Sequence, residues 1–261
     1  MEAPSPGVLH DAVLDWYDDH ARDLPWRGAS ATPWSVMVSE FMLQQTPVAR
    51  VLPVHAAWLD RWPTPASLAE DPTGEAVRMW GRLGYPRRAL RLHAAATAIV
   101  ERHDGEVPAS YDDLLALPGI GDYTAAAIAS FAFGHRHVVL DTNVRRVLTR
   151  AVSGRELPAP AVTRGERDIA TTLLPDDPAT AATWAVATME LGALVCTATA
   201  HVAAVGSSSG SSPVARSRSA RVTAVAGNST PVTARARTRR TLVSSTTWRR
   251  PYANDAIAAA V

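Results

Sequence analysis

Residues 117–134 read LPGIGDYTAAAIASFAFG, which places two glycines in a short turn directly before a helix of small residues. Gly119 and Gly121 permit the tight backbone turns that leave successive N–H groups pointing outward at a helix N-terminus. Such a turn binds one phosphate group without reading base sequence. An ordinary glycine turn between packed helices is the alternative for a bare Gly-x-Gly, but the Ala-rich helix after LPGIG favours phosphate binding.

The chain on both sides of this turn also carries helix signals. Apolar residues recur at helical spacing through most of residues 8–196. Thr32-Pro33 supplies a cap followed by proline at the first helical position, and Pro86 opens a later helix. Only HVVL at 137–140 hints at a strand, and it is too short to change the class. The predicted fold class is all-α, and later helices are expected around 111–117, 122–133, 142–153, 162–174 and 179–195.

Composition limits the class of protein. A chain of 261 residues can bury a sizeable core in one or two domains. Its single cysteine, Cys196, rules out an internal disulfide framework. No apolar run reaches the roughly 18 residues of a membrane span, and the N-terminus lacks an apolar signal stretch. We therefore expect a soluble cytoplasmic monomer with no membrane partner.

Charge is divided unevenly along the chain. Residues 1–196 contain 17 Arg against 24 Asp and Glu, whereas residues 197–261 contain 9 Arg against the single acid Asp255. Residues 197–261 lack a sustained apolar period, so they are expected to be a basic low-complexity tail that does not fold. In the acidic part, residues 1–196, a local stripe of basic residues is enough to bind a DNA duplex. The alternative is that the arginines in this part lie on solvated helix faces. The arginines available for such a stripe are Arg78, Arg82, Arg87, Arg88 and Arg91, and Arg145, Arg146 and Arg150.

Two carboxylates stand out. Residues 39–46 read SEFMLQQT, so Glu40 lies within a helix that is apolar nearly all round. Burial there raises the pKa of Glu40, as a general acid near neutral pH requires, although a buried glutamate with a structural partner is the alternative. Asp141 precedes the helix TNVRRVLTRAV, at a position where aspartate is a favoured N-cap. N-capping is enough to explain an aspartate at this position, but it does not exclude a chemical role. Paired carboxylates suit cleavage of a glycosidic bond, since one protonates the leaving base and the other stabilises the cationic sugar.

Four stretches, in order along the chain, resemble one family. They are LPWRGASATPWSVMVSEFMLQQTPVARV, WGRLGYPRRALRLH, LPGIGDYTAAAIASFAFG and VVLDTNVRRVLTRAV. Together they resemble the adenine DNA glycosylase (MutY) family of the helix-hairpin-helix base-excision repair superfamily, which has the endonuclease III-like fold. The resemblance runs from about residue 8 to Cys196, and SEFMLQQT distinguishes this branch from its endonuclease III relatives.

The resemblance implies an enzyme that extrudes adenine mispaired with 8-oxoguanine or guanine from double-stranded DNA and hydrolyses its N-glycosidic bond. It implies that Glu40 protonates the adenine and that Asp141 stabilises the oxocarbenium ion or bonds to it transiently. It also implies that Asn143 orients the catalytic site and that Tyr123 lies near the flipped nucleotide. The residues that it assigns to DNA contact are Gln44, Gln45, Tyr85, Arg88, Gly119, Gly121 and Thr124.

By the same resemblance the fold has two helical parts with the target nucleotide between them. Residues 26–135 form a six-helix barrel that carries the helix-hairpin-helix motif at about 112–133. Residues 1–25 supply a first helix that packs on the second part, residues 136–196. Residues 197–261 are the tail.

The absence of lysine separates close relatives. Those that also cut the DNA backbone attack the sugar with an amine, from a lysine in the hairpin region. The corresponding position here is Tyr123, and the chain contains no lysine. The sequence therefore favours a monofunctional glycosylase that uses water as the final nucleophile, with the N-terminal amine as the remaining alternative. No phosphate-binding loop of the nucleotide type occurs, so no nucleotide cofactor is expected.

The sequence departs from the family at its iron–sulfur site. The family holds a 4Fe–4S cluster with cysteines spaced C-x6-C-x2-C-x5-C, and Cys196 matches the first of them. The other positions are Ala203, Gly206 and Ser212, and one thiolate cannot hold such a cluster. A cluster-free branch, a truncated chain with a disordered tail, and a shift of reading frame after Cys196 each explain this. The frame shift agrees best with the abrupt loss of resemblance and with the composition of the tail.

Two rival functions are open at this point. A non-catalytic helix-hairpin-helix protein, an inactive remnant without the cluster, would bind DNA through the hairpin alone and would not need Glu40. A sister glycosylase would act on thymine or on alkylated bases, although LQQT and the Glu40–Asp141 pair argue against it.

Overall fold

The computed structural model describes residues 5–199, and all of them belong to one compact unit. Within this range the structure has eleven helices joined by short connections and no strand, which confirms the all-α prediction. Residues 137–140, which hinted at a strand, lie in a non-helical connection. The helices are α1 (Pro6–His20), α2 (Pro33–Leu43), α3 (Val48–Arg61), α4 (Pro65–Glu70), α5 (Thr73–Trp80), α6 (Arg87–Arg102), α7 (Tyr111–Leu115), α8 (Asp122–Phe133), α9 (Thr142–Ser153), α10 (Arg164–Thr172) and α11 (Pro178–Leu194).

Local sequence sets where the main helices begin. Thr32 accepts a hydrogen bond from the Ser35 amide at 3.1 Å, and Pro33 occupies the first position of α2. At the start of α11, Asp177 accepts a hydrogen bond from the Thr180 amide at 2.8 Å. These caps satisfy amides that the helix itself leaves without partners, so the predicted helix starts hold to within about two residues. None of the helices between residues 5 and 199 has the length and apolarity needed to cross a bilayer.

Buried apolar side chains fall into two main clusters. The larger cluster lies among α2–α8, where Trp58 packs edge-on against Trp62 and Trp80, with ring centroids 4.6 Å and 5.7 Å away. The second cluster joins α1 to α9, α10 and α11. Helix α1 therefore packs with the C-terminal helices, and the division into two helical parts stays a prediction.

Helix α2 lies at the centre of the larger cluster. The residues from Trp34 to Met42 are all buried. A helix that is apolar nearly all round has no face suited to water, and α2 packs against α3, α6 and α8. This packing carries Glu40 into the interior together with its apolar neighbours.

The barrel region contains one helix more than the six predicted. Seven helices, α2–α8, lie there, because residues 65–80 form two short helices, α4 and α5. Asp71 is extended, and Pro72 cannot continue the backbone hydrogen bonding of a helix, so the two are separate. At 6 and 8 residues, both are too short for helical periodicity to stand out in the sequence.

Helices α7 and α8 and the turn between them form a helical hairpin. Gly119 in this turn has a φ of +80°, in the left-handed region that favours glycine. A Cβ at Gly119 would lie 2.7 Å from the Cβ of Arg91 on α6, so the turn also packs too closely for a side chain. Both glycines of the predicted turn are exposed, and Gly121 is the N-cap of α8.

Substituting Gly119 should show both constraints on the hairpin. Gly119→Ala should lower the free energy of unfolding by roughly 2–4 kcal/mol, because about 1–2 kcal/mol of backbone strain adds to an overpacking cost. Gly105 is the matched control, since its φ is +81° and nothing lies within 4 Å of a Cβ there. Gly105→Ala should lose only the strain contribution. Equal losses in urea unfolding followed by circular dichroism would contradict the close packing of the turn on α6.

Candidate active site

A cavity of about 640 Å³ lies beside the C-terminal end of α2 and the N-terminal ends of α8 and α9. Its wall contains apolar, charged and amide side chains from segments distant in sequence. It brings together the four predicted catalytic residues and two of the predicted DNA contacts: Glu40, Tyr123, Asp141, Asn143, Gln44 and Gln45.

Glu40 supplies a dry carboxyl group in this wall, with 6% of its surface exposed. The pKa of Glu40 is raised to about 7, and burial, which disfavours the ionised carboxylate, is the largest cause among several. The negative charge of Asp141 raises this pKa further, whereas a hydrogen bond from the Tyr123 hydroxyl and the positive charge of Arg27 lower it. Near neutral pH the carboxyl therefore exchanges readily between its protonated and ionised forms, as general acid–base chemistry requires.

Asp141 caps α9 and lies in the wall of the same cavity as Glu40. One carboxylate oxygen caps α9 by accepting a hydrogen bond from the Val144 amide at 2.7 Å. The other accepts from the Asn143 side-chain amide at 2.7 Å. Burial raises the pKa of Asp141, and these hydrogen bonds oppose the rise by favouring the ionised form. The cap thus fixes a negative charge in the wall of the same cavity as Glu40.

Tyr123 connects the hairpin to the carboxylates from the first turn of α8. Burial and the nearby Glu40 and Asp141 carboxyls raise the pKa of Tyr123 well above its ordinary value. The phenol therefore remains a hydrogen-bond donor throughout the neutral pH range. Its donation to Glu40 stabilises the ionised form of that carboxyl.

Asn143 is held from the opposite side by the C-terminal helix. Its side-chain oxygen accepts a hydrogen bond from Arg146 at 2.7 Å, and Arg146 also donates to the Gly192 carbonyl at 2.6 Å. A Cβ at Gly192 would lie 2.7 Å from the Cβ of Asn143. Any residue other than glycine at position 192 would therefore displace α11 or Asn143, whose side-chain amide donates to Asp141.

Cys196 does not belong to a metal site within the part of the chain that the structure describes. Its thiol is buried, and the Arg150 guanidinium donates to its sulfur at 3.2 Å. No group of three or more potential metal ligands occurs among residues 5–199. The other predicted cluster positions, Ala203, Gly206 and Ser212, lie outside the described residues. Since a 4Fe–4S cluster needs several thiolates and this chain has one cysteine, its residues do not fit the cluster.

The sequence analysis missed a buried ion-pair group beside the cavity. Glu190 on α11 is fully buried and pairs with Arg22 at 2.6 Å and with Arg27 at 3.0 Å, and both arginines line the cavity. Burial raises the pKa of Glu190, but hydrogen bonds from Arg22 and the charge of Arg27 outweigh it and hold the pKa below its ordinary value. The signal was present in TMELGAL, where Glu190 interrupts an apolar run much as Glu40 does.

The remaining predicted DNA contacts lie on turns and helix ends. Gln45 and Tyr85 have φ angles of +56° and +48°, which are uncommon for residues other than glycine, and both are exposed. Gly119 and Gly121 form the exposed hairpin turn outside the cavity wall. The side chain of Thr124 is buried, so its backbone amide, and not its hydroxyl, is the group placed at the helix N-terminus.

Several arginines assigned to the basic stripe are interior. The prediction of a DNA contact from Arg88 is wrong for its side chain, because the guanidinium is buried and donates to backbone carbonyls. Arg145, Arg146 and Arg150 are likewise buried and donate to carbonyls. The exposed arginines left for phosphate contact from those two groups are Arg78, Arg82, Arg87 and Arg91.

Residues 38–168, which include both carboxylates and the hairpin, match the family described as HhH-GPD superfamily base excision DNA repair protein. The chain belongs to this superfamily. Over 186 residues it is 55% identical to the adenine DNA glycosylase of Mycolicibacterium smegmatis, which covers 71% of this chain and 62% of the relative. The chain thus spans about three fifths of the length of that relative.

Solved structures confirm the endonuclease III-like fold. A thermostable thymine-DNA glycosylase matches with a TM-score of 0.66 and 25% identity, over 74% of this chain and 88% of that one. A non-covalent endonuclease III–DNA complex matches with a TM-score of 0.62 and 20% identity, over 76% of this chain and 90% of that one.

Replacing the dry carboxyl should stabilise the protein above neutral pH. The pKa of Glu40 is about 7 in the folded state against 4.5 for an ordinary glutamate, so folding opposes its ionisation and wild-type stability falls as pH rises between these values. Glu40→Gln should remove this cost, a relative gain of about 3 kcal/mol at pH 8 that vanishes below pH 4.5. Urea unfolding at several pH values measures it. Glu70→Gln, which makes the same change at an exposed carboxyl, is the control. A gain for Glu40→Gln that does not grow with pH would refute the desolvation argument.

Proposed function

We propose that the chain is a DNA glycosylase that removes adenine mispaired with 8-oxoguanine or guanine from double-stranded DNA. The observation that carries this proposal is the shared cavity, in which a carboxyl with a pKa of about 7, Glu40, lies with the hydrogen-bonded carboxylate Asp141. Superfamily membership supports base excision as the reaction class. Similarity to an adenine DNA glycosylase supports adenine as the base.

The first step breaks the bond between the sugar and the adenine. Protonated Glu40 gives its proton to the purine ring, so that the bonding electron pair leaves with a neutral base. The sugar carbon is left cationic, and Asp141 stabilises it as an ion pair or by a transient bond. Hydrogen bonds from Val144 and Asn143 prepare Asp141 for this role, because they favour the anion within a poorly hydrated wall.

The second step adds water to the sugar. Glu40, ionised by the first step, accepts a proton from the attacking water and returns to its starting form. The Tyr123 hydroxyl stabilises the intervening carboxylate by hydrogen bonding. A second cavity of about 340 Å³ is also lined by Glu40, and it gives the carboxyl another route for exchange with solvent.

Strand cleavage by the protein is not part of the proposed reaction. A glycosylase that cuts the backbone forms a Schiff base with an amine, and no side-chain amine of that type exists in a chain without lysine. Tyr123 occupies the position that the resemblance assigns to that lysine. Its phenol has its own function as a donor to Glu40.

Duplex DNA would reach the cavity from the side of the exposed hairpin turn and the exposed arginines. The turn before α8 presents free helix amides to one phosphate. Gln44 and Gln45 lie in the cavity wall, so they are placed to contact DNA beside the extruded nucleotide. Extrusion costs a few kcal/mol, which the phosphate contacts must offset.

The decisive assay uses purified protein in excess over a duplex with adenine opposite 8-oxoguanine. Adenine release, scored as strand breaks after alkali, should occur without breaks before alkali, and borohydride should trap no protein–DNA adduct. Glu40→Gln should reduce the single-turnover rate by at least 10²-fold, the usual contribution of a general acid.

Other results assign other functions. Adenine release by neither wild type nor Glu40→Gln above a protein-free control would favour a DNA-binding protein without glycosylase chemistry. Equal release by both above that control would contradict Glu40 as the proton donor. Faster release of thymine opposite guanine than of adenine would indicate a sister glycosylase. Breaks before alkali would contradict water as the final nucleophile.

A further inference from the structure

Arg88, in the first turn of α6, lies beneath two turns that are far apart in sequence. One guanidinium nitrogen donates to the carbonyls of Phe41 and Met42, each at 3.0 Å, and to that of Gln44 at 2.5 Å. The other donates to the carbonyl of Gly84 at 3.1 Å. A single side chain therefore binds the end of α2 and the turn before α6.

Thr46 closes the connection between the two turns. Its hydroxyl oxygen accepts a hydrogen bond from Arg88 at 3.0 Å, and the hydroxyl donates to the Leu83 carbonyl at 3.3 Å. Arg88 also lies over the Tyr85 ring, with 5.6 Å from the guanidinium carbon to the ring centroid. Both the backbone and the aromatic ring of the second turn are thus fixed by the same residues.

Each turn contains a residue with an unfavourable backbone conformation. Gln45 and Tyr85 both have positive φ angles, which cost of order 1–3 kcal/mol each and persist only where the surroundings enforce them. Both side chains are nevertheless exposed, and 64% of Tyr85 is accessible. In both turns, buried contacts maintain a strained backbone while the side chains of the strained residues are exposed. This combination is typical of sites that bind a ligand.

We propose that Arg88 is a positioning residue that locks the Gln44–Gln45 turn and the Tyr85 turn into one rigid element for gripping the duplex beside the extruded base. Tyr85 provides a flat exposed ring suited to stacking on a base, and Gln45 provides an amide for base edges. The inference rests on the proposed function for its substrate. Its own content is that a buried arginine controls the geometry of these two DNA-facing residues.

The planar guanidinium is needed because the carbonyl groups that accept its hydrogen bonds lie in two different segments of the chain. Two nitrogens of one rigid group serve carbonyls of α2 and of the second turn at the same time. A lysine ammonium is a single point donor, and it cannot span both sets. Arg88→Lys should therefore behave like Arg88→Met even though it keeps the charge.

The test compares these variants with Arg102→Met, which removes the same charge from an exposed position at the other end of α6. The duplex carries adenine opposite 8-oxoguanine, with 2-aminopurine next to the adenine as a fluorescent reporter of unstacking. The active fraction of each variant is taken from the burst amplitude with the duplex in excess. Single-turnover adenine release is then measured with active protein at saturation, so that misfolded molecules do not affect the rate constant.

We expect Arg88→Met and Arg88→Lys to lower both the fluorescence rise at saturating protein and the adenine-release rate constant at least tenfold. Arg102→Met should stay within threefold of wild type in both. The pH at half-maximal rate should not move in the Arg88 variants, because the groups that act on the pKa of Glu40, namely Tyr123, Asp141 and Arg27, are unchanged. Thr46→Val removes one acceptor of Arg88 while preserving the shape of the side chain, so it should cause smaller losses of fluorescence and rate. It replaces the Arg88 variants in the test if they do not fold.

The proposal would be overturned if the Arg88 and Thr46 variants matched Arg102→Met in both the adenine-release rate constant and the fluorescence rise. A shift in the pH profile with unchanged fluorescence would also overturn it, since the effect would then lie at the carboxylates. If wild type did not release adenine, the proposed function would be refuted. The fluorescence comparison would still test whether Arg88 positions the two turns.

Discussion

The proposed chemistry of the site depends on keeping one carboxyl group dry. Glu40 lies within a helix that is buried along most of its length, and burial is the main cause that raises its pKa to about 7. Its ionisation costs about 3 kcal/mol above neutral pH, a large fraction of the 5–15 kcal/mol that usually separates folded from unfolded states. A site that needed only a structural glutamate would provide a full ionic partner, as Glu190 has in Arg22 and Arg27. The contrast between these two buried glutamates supports the proposed role of Glu40 as the proton donor.

Arginine performs two separate tasks in this chain. Exposed arginines supply positive charge, but Arg88, Arg145, Arg146 and Arg150 are buried and donate to carbonyls at helix ends and connections. A guanidinium can remain charged in such places because its several donors are satisfied by backbone oxygens. Counting arginines along the sequence therefore overstates the charge available to a duplex. The buried set instead joins helix ends and connections that are distant in the sequence.

Much of the fold could be predicted because its signals are local. Thr32-Pro33, the Gly119–Gly121 turn and the apolar run around Glu40 each determine structure within a few residues. Asp141 could be placed because an aspartate at a helix start predicts an N-cap, which the structure confirms. The partners of Glu190 could not be predicted, since Arg22 lies 168 residues away along the chain. The burial of Arg88 also depends on carbonyls of a helix more than forty residues earlier, which no local pattern encodes.

The most direct test of the account is the titration of Glu40 itself. Protein labelled with ¹³C at glutamate side-chain carboxyls can be followed by NMR across pH 3–9, with Glu40→Gln identifying the resonance. The account predicts one glutamate signal with a midpoint near pH 7 that is missing from the variant. If the signal that the variant lacks titrates near pH 4.5 like an ordinary glutamate, Glu40 is hydrated and cannot be the proton donor described here.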